Sequence, residues 1–415
     1  MNNNLNQPGE FDAVLGGEQQ NEKYSVVLGG IEGVKNRLNS QDDEVKTSAL
    51  EDALKYGNAG IDLIIEALYD PSEEIHARAI CLLRKAGTKG KQALLDYDPW
   101  LVLTTFQDWE DYYYDRIKDP IGQAYCLYNE NYVNSKNKLS RFLQDPKAKD
   151  IEAIKFQVYY KDPNCKIAFK DFADTLVNAC ELLTNLKALL IGDCCDLINI
   201  KYRESNIKVC SIHPLLKSYP YLELLHIRGR MLEEDILKPE LKILEVRNPQ
   251  NNSIIPIKPL KHENLKTLIV DADGISDSNI TKICNLNLPS LEYFELWLSR
   301  SDLSNINIDS LAPMLSGESF PNLVYLAVRQ CGNMSEVAQA IVNSPIMENL
   351  KVLELTDGNI GNGNALLKSP IINRLHTLNI SRNRLPKNII EQFSKLKCRV
   401  IADSQFSDRY YSVWE

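Results

Sequence analysis

Ten cysteines and five histidines are the side chains of this 415-residue sequence best suited to hold a metal or act as nucleophile or base. The densest group is Cys180, Cys194, Cys195, Cys210 and His213. Zinc takes four thiolate or imidazole ligands on short, rigid spacings. Here Cys210-x-x-His213 stands alone, with no C-x-x-C pair beside it, and the group reads better as free thiols. The histidines, His76, His213, His226, His262 and His376, are scattered, and none forms H-x-x-x-H or H-E-x-x-H. The sequence has no P-loop and no G-x-S-x-G. The run "GNIGNG" (358–363) has the order G-x-x-G-x-G, which is not the dinucleotide fingerprint. A turn that needs positive φ accounts for Gly358, Gly361 and Gly363 better. Nothing sets a nucleophile, a base and a metal in fixed relation, so the expected protein is not an enzyme and carries no cofactor.

The remaining chemistry is binding, and its carrier is a repeated phrase, Leu-x-x-Leu-x-Leu. It occurs at Leu186/Leu189/Ile191, Leu222/Leu225/Ile227, Leu241/Leu244/Val246, Leu265/Leu268/Val270, Leu291/Phe294/Leu296, Leu323/Leu326/Val328, Leu350/Leu353/Leu355 and Leu375/Leu378/Ile380. Ile151/Ile154/Phe156 is an earlier copy, and "KCRVIADSQ" (397–405) a decayed last one. Side chains alternate across a strand, so positions four and six point into one core while positions five, seven and eight face outward. One unit cannot cover its own leucines; stacking several can. Helical returns are expected in "SEVAQAIVNSP" and "PKNIIEQFSKL". Asn or Cys at position nine bonds the turn, and Cys194, Cys331 and Asn383 stand there, with Asp273 a polar substitute; Arg230, Pro249, Ser299 and Gly358 depart from the pattern.

The outward positions then name a concave surface: Arg228, Glu245, Arg247, Glu295, Trp297, Arg329, Glu354 and Arg382, accompanied by His226, Asp271, Gln330, Thr356 and Asn379. The set is polar and mixed in sign. Trp297 stands out, because an exposed indole flanked by Glu295 and Arg329 is the composition of an interface anchor. The competing expectation tucks Trp297 under the insert "SRSDLSNINIDSLAPMLSGESF" (299–320).

Upstream the period changes. "DDEVKTSALEDALKYGNAG" (42–60) aligns with "SEEIHARAICLLRKAGTKG" (72–90) at an offset of 30, matching Ala49 with Ala79 and Gly57 with Gly87. Apolar residues fall on one helical face, and Pro71-Ser72 opens a helix. Paired short helices are expected. The boundaries are a disordered tail at 1–23, a helical module at 24–98, an aromatic-rich helical connector or cap at 99–145, and the leucine-rich domain at 146–415. The fold class is an α/β repeat solenoid, with a parallel sheet on its concave face and a small all-α array before it.

Composition sets limits on the partner. Hydrophobic residues at 44% allow a large core, and the net charge of −9 disfavours nucleic acid and anionic membranes. "MNNNLNQPGEFD" has neither the basic start nor the apolar stretch of a signal peptide, and no apolar run approaches a membrane span. A cytoplasmic protein with a protein partner, of unspecified oligomeric state, is the expectation.

The segments "NLKALLIGD" (185–193), "YPYLELLHIRG" (219–229), "LPSLEYFELWL" (288–298) and "FPNLVYLAV" (320–328) resemble a bacterial leucine-rich repeat family of the ribonuclease-inhibitor-like group. "VVLGGIEGVKNRLNS" (26–40), "ALKYGNAGIDLIIEAL" (53–68) and "KQALLDYDPW" (91–100) are similar to a HEAT-like module of cyanobacterial proteins. The first resemblance implies a scaffold for protein–protein interaction. The second implies a cyanobacterial source and, as an alternative function, a bilin lyase or pigment-handling factor, although 24–98 supplies no acid-and-cleft constellation for it.

Overall fold

The computed structural model describes residues 30–99, 109–129, 132–158, 165–193, 209, 211–229, 236–248, 261–272, 274–298 and 305–405. The expected tail, 1–23, lies outside them, as do Cys194, Cys195, Cys210, Arg230, Pro249, Asp273 and Ser299. The chain divides into two compact units, Met1–Thr105 and Phe106–Glu415.

The first unit is an array of helices: α1 (Gly30–Leu38), α2 (Asp43–Ala53), α3 (Gly57–Glu66), α4 (Glu73–Lys85) and α5 (Gly87–Tyr97). The repeat at offset 30 is physical. Asp42 caps α2 by accepting from the Glu44 N–H at 2.9 Å, and Ser72 caps α4 by accepting from that of Ile75. Ala49 and Ala79 are both fully buried. A Cβ at Gly60 would lie 1.7 Å from the Ala53 carbonyl oxygen, and one at Gly90 would lie 2.1 Å from that of Leu83. Thus α3 crosses α2 and α5 crosses α4 at a spacing only glycine allows.

The second unit is built on twelve parallel strands in sequential order. They are β1 (Glu110–Tyr113), β2 (Gln123–Asn129), β3 (Ala153–Val158), β4 (Ala188–Asp193), β5 (Leu224–Arg228) and β6 (Ile243–Asn248), then β7 (Thr267–Ala272), β8 (Tyr293–Trp297), β9 (Tyr325–Arg329), β10 (Val352–Thr356), β11 (Thr377–Asn379) and β12 (Arg399–Ile401). Position four runs straight across the sheet: Ile154, Leu189, Leu225, Leu244, Leu268, Phe294, Leu326, Leu353 and Leu378 stand opposite one another in turn. Leu268, Leu326 and Leu353 share one continuous core with the residues of position six, and all three are fully buried. Helices form at both expected returns, Met334–Val342 and Lys387–Phe393, and complete the α/β repeat solenoid.

The sheet begins earlier than expected. The segment 99–145 was expected to be helical, yet it supplies β1 and β2 before a helix at Tyr132–Gln144. Alternation decides the matter: Tyr125 and Leu127 point into the core, while Ala124 and Cys126 join the opposite face. Tyr125 pins the turn before β2, since its hydroxyl accepts from the N–H groups of Lys118 and Asp119 and donates to the Asp119 carbonyl at 2.8 Å. Trp100 and Phe106 lie outside the described residues.

Two sets of turn contacts tie neighbouring units. At position nine, the Asn383 amide donates to the carbonyls of Leu355 and Ile380 at 2.6 and 2.9 Å. Gly358 occupies position nine for lack of space: a Cβ would meet the Cys331 carbonyl oxygen at 3.0 Å and the Met334 Cβ at 2.9 Å. Positive φ, expected at all three glycines of "GNIGNG", occurs at Gly361 and Gly363. A second ladder went unread in the sequence. The asparagine before position one donates its amide to the preceding unit, Asn264 to Pro239 O, Asn322 to Pro289 O and Asn349 to Pro321 O, at 2.7–2.9 Å.

Leu353→Ala is expected to cost about 2–5 kcal/mol and Asn349→Ala about 1 kcal/mol, both read by chemical denaturation of the full chain. A loss from Leu353→Ala no greater than that from Asn349→Ala would contradict the shared core.

Candidate interaction surface

Seven of the eight sequence-selected residues, all but Arg382, stand on strands at the face of the sheet opposite the core. Register lines them up in rows. Position five carries His226, Glu245, Ile269, Glu295, Ala327, Glu354 and Asn379 on successive strands. Position seven carries Arg228, Arg247, Asp271, Trp297, Arg329 and Thr356. Parallel strands about 4.8 Å apart bring such side chains within reach of their neighbours, and two clusters result.

The first cluster spans β5 to β7. Arg247 binds Glu245 within its own strand and reaches Asp271 on the next at 3.4 Å. His226 Nδ1 lies 3.2 Å from Glu245. Burial pushes the Glu245 carboxyl up, but Arg247 and His226 outweigh it and hold the group at about 2. Burial also drives the His226 imidazole below its ordinary range, against the pull of Glu245. Arg228 adds its positive charge to both. Gly192 on β4 leaves room for it, because a Cβ there would be 3.0 Å from that of Arg228.

The second cluster spans β8 to β10 and centres on Arg329. Its guanidinium pairs with Glu295 at 3.3 Å and Glu354 at 2.5 Å, and donates to the Thr356 hydroxyl at 3.0 Å. Two tyrosines at position three, missed in the sequence, complete it: the Tyr293 hydroxyl donates to Glu295 and the Tyr325 hydroxyl to Glu354. Their rings meet with centroids 4.2 Å apart and planes tilted by 32°. The available signal was Tyr at the same position of two adjacent copies of the phrase. Burial raises the Glu354 carboxyl, opposed by Arg329 and Tyr325.

Trp297 belongs to this cluster and corrects the expected exposed indole. Only 2% of the residue is exposed. Its Nε1 donates to Glu295 Oε1, and the Arg329 guanidinium lies 5.2 Å from the ring centroid. The ring lies among its neighbours rather than standing in water, so it positions Glu295 and Arg329 and is no free anchor.

Arg382 stands apart, at position eight, where its guanidinium lies 3.7 Å from Asp357. Gln330, Asp357 and Arg382 hold this position in three successive units, all with φ between 56° and 58°. Such left-handed conformations cost of order 1 kcal/mol each outside glycine. Backbone bonds to the next unit hold them there, from Gln330 N to Thr356 O at 3.1 Å and from Arg382 N to Asp403 O at 3.1 Å.

Toward β1 the same face turns apolar, with Ala124, Ala153, Ala188, Leu190 and Leu224 buried together and Trp109 packed against them. Glu152 fixes Trp109 by accepting from its Nε1 at 3.2 Å while pairing with Lys187 at 2.6 Å. Among the described residues, no group of three or more His, Cys, Asp or Glu is placed to hold a metal ion, and no helix is long and apolar enough to cross a membrane.

His226 binds fewer protons in the fold than in the unfolded chain below its ordinary pKa of about 6.5. Stability should therefore fall as pH drops through that value, and His226→Gln should flatten the decline; thermal melts across pH read it, and an unchanged slope would refute the assignment. Trp297→Ala should cost about 3–5 kcal/mol of stability, against little change if the indole were exposed.

No family model matches the chain, and no curated protein matches it significantly in sequence. Among solved structures, the chain is similar to a Bacteroides fragilis protein determined as a structural genomics target, with a TM-score of 0.50 and 18% identity over 82% of this chain and 86% of the other. At that identity the likeness bears on the fold alone, and it agrees with a repeat solenoid.

Proposed function

We propose that the protein is a non-catalytic scaffold of leucine-rich repeat type, with a HEAT-like array before it, that binds a protein partner in the cytoplasm on the concave face of its sheet. The observation that carries this reading is the register of the outer face. Charged side chains from β5 to β10 come from successive units, yet stand in rows and hold one another by ion pairs and hydrogen bonds. Side chains already ordered lose little freedom on binding, which lowers the cost of association. The buried members, Trp297, Glu295 and Glu354, give the surface its shape. His226, Arg247, Arg329 and Arg382 keep contact with solvent and are the groups a partner meets.

Affinity capture from the native cell should recover a protein that binds the wild-type chain and is lost with the double variant His226→Ala/Arg382→Glu, while the thermal midpoint stays above the working temperature. Equal recovery by wild type and variant would sink the proposal.

A further inference from the structure

The last unit of the sheet is built like the others but covered differently. Register places Val400 opposite Leu378, so Val400 holds position four and Ala402 position six. Their counterparts one unit earlier, Leu378 and Ile380, are fully buried. Val400 and Ala402 are only partly buried, and so are Leu396, Ile389 and Ile390, all packed against the same core. The backbone repeats the pattern. Arg399 N–H donates to His376 O at 2.9 Å, and Ile401 O accepts from Ile380 N–H at 2.8 Å. Backbone groups alternate in direction along a strand, so Val400 between them turns its N–H and C=O away from β11. Among the described residues β12 pairs with β11 alone. A repeat array needs a cover on its terminal units, and an open strand edge is a template for further pairing.

The described residues stop at Gln405, which is held at this same edge. Its side-chain carbonyl accepts from the N–H groups of Asn383 and Leu385 at 3.1 and 3.0 Å, and its amide donates to Ile380 O at 3.0 Å. Ten residues follow in the sequence, FSDRYYSVWE. We propose that this segment, 406–415, covers the β12 end of the core and lays Phe406, Tyr410 and Trp414 over Val400, Leu396 and Ile390. A spacing of four puts the three rings on one face in a strand and in a helix alike. Extended, the segment reaches about 33 Å, twice the run from Gln405 back to Val400. A second copy of the chain is the competing occupant. β12 offers it three residues of edge. Five apolar side chains already more than half covered supply little of the roughly 1,200 Å² that a stable interface buries.

Hydrogen–deuterium exchange at the Val400 amide of the full chain, resolved by mass spectrometry with electron-transfer fragmentation, tests the proposal. In the wild type this amide should exchange slowly. The triple variant Phe406→Ser/Tyr410→Ser/Trp414→Ser should speed it about tenfold, while exchange at 352–356, inside the sheet, stays unchanged and reports a folded chain. Should the triple variant lose protection at 352–356 as well, Trp414→Ser alone decides, with a smaller change in the same sense. Fast exchange at Val400 in the wild type, or slow exchange that the substitutions leave unaltered, would overturn the proposal. Sedimentation at several concentrations identifies the competing occupant: protection that grows with a dimer and survives the substitutions puts a second copy on this edge in place of the segment.

Discussion

Everything in the larger unit depends on one constraint, the stacking of like positions at the spacing of hydrogen-bonded parallel strands. An aliphatic side chain at position four meets its counterpart in the next unit because the ladder admits no slip: a shift of one residue would put the whole leucine row on the wrong face. The same register that sets Leu268 beside Phe294 and Phe294 beside Leu326 lays Arg247 beside Asp271 and Trp297 beside Arg329. Core and surface are two readings of one alignment.

The surface cluster around Arg329 shows what that alignment costs. Glu295 and Glu354 have little access to water and Arg329 is only partly exposed, and desolvating such groups is unfavourable unless geometry compensates. Compensation comes from several directions at once: two carboxylates, two tyrosine hydroxyls, an indole N–H and a threonine. Well-packed aliphatic residues could serve stability as well. A charged network does something they cannot, in fixing the direction of each donor.

Legibility in the sequence followed periodicity. Repeated leucines at three-and-two spacing were enough to place β3 to β12, because burial of alternate residues is a local rule repeated many times. Rows at positions five and seven were legible for the same reason. Other features were not. Strands β1 and β2 lie in a segment so aromatic that apolar residues appear at nearly every position, which hides the alternation. The burial of Trp297 is set by tertiary packing, and residue type alone does not say whether a ring stands up or lies down. The asparagine ladder before position one joins residues some 25 to 33 apart, and its partners are backbone carbonyls, which carry no residue-type signal.

The described strands follow one another across the sheet in chain order. Each unit therefore answers only to the one before and the one after. A chain so wired lengthens or shortens by whole units at the level of the gene, since removing an internal copy leaves two surfaces that already know how to meet. The reach of the outer rows is adjustable in the same way, one strand at a time, without redesign of the interior.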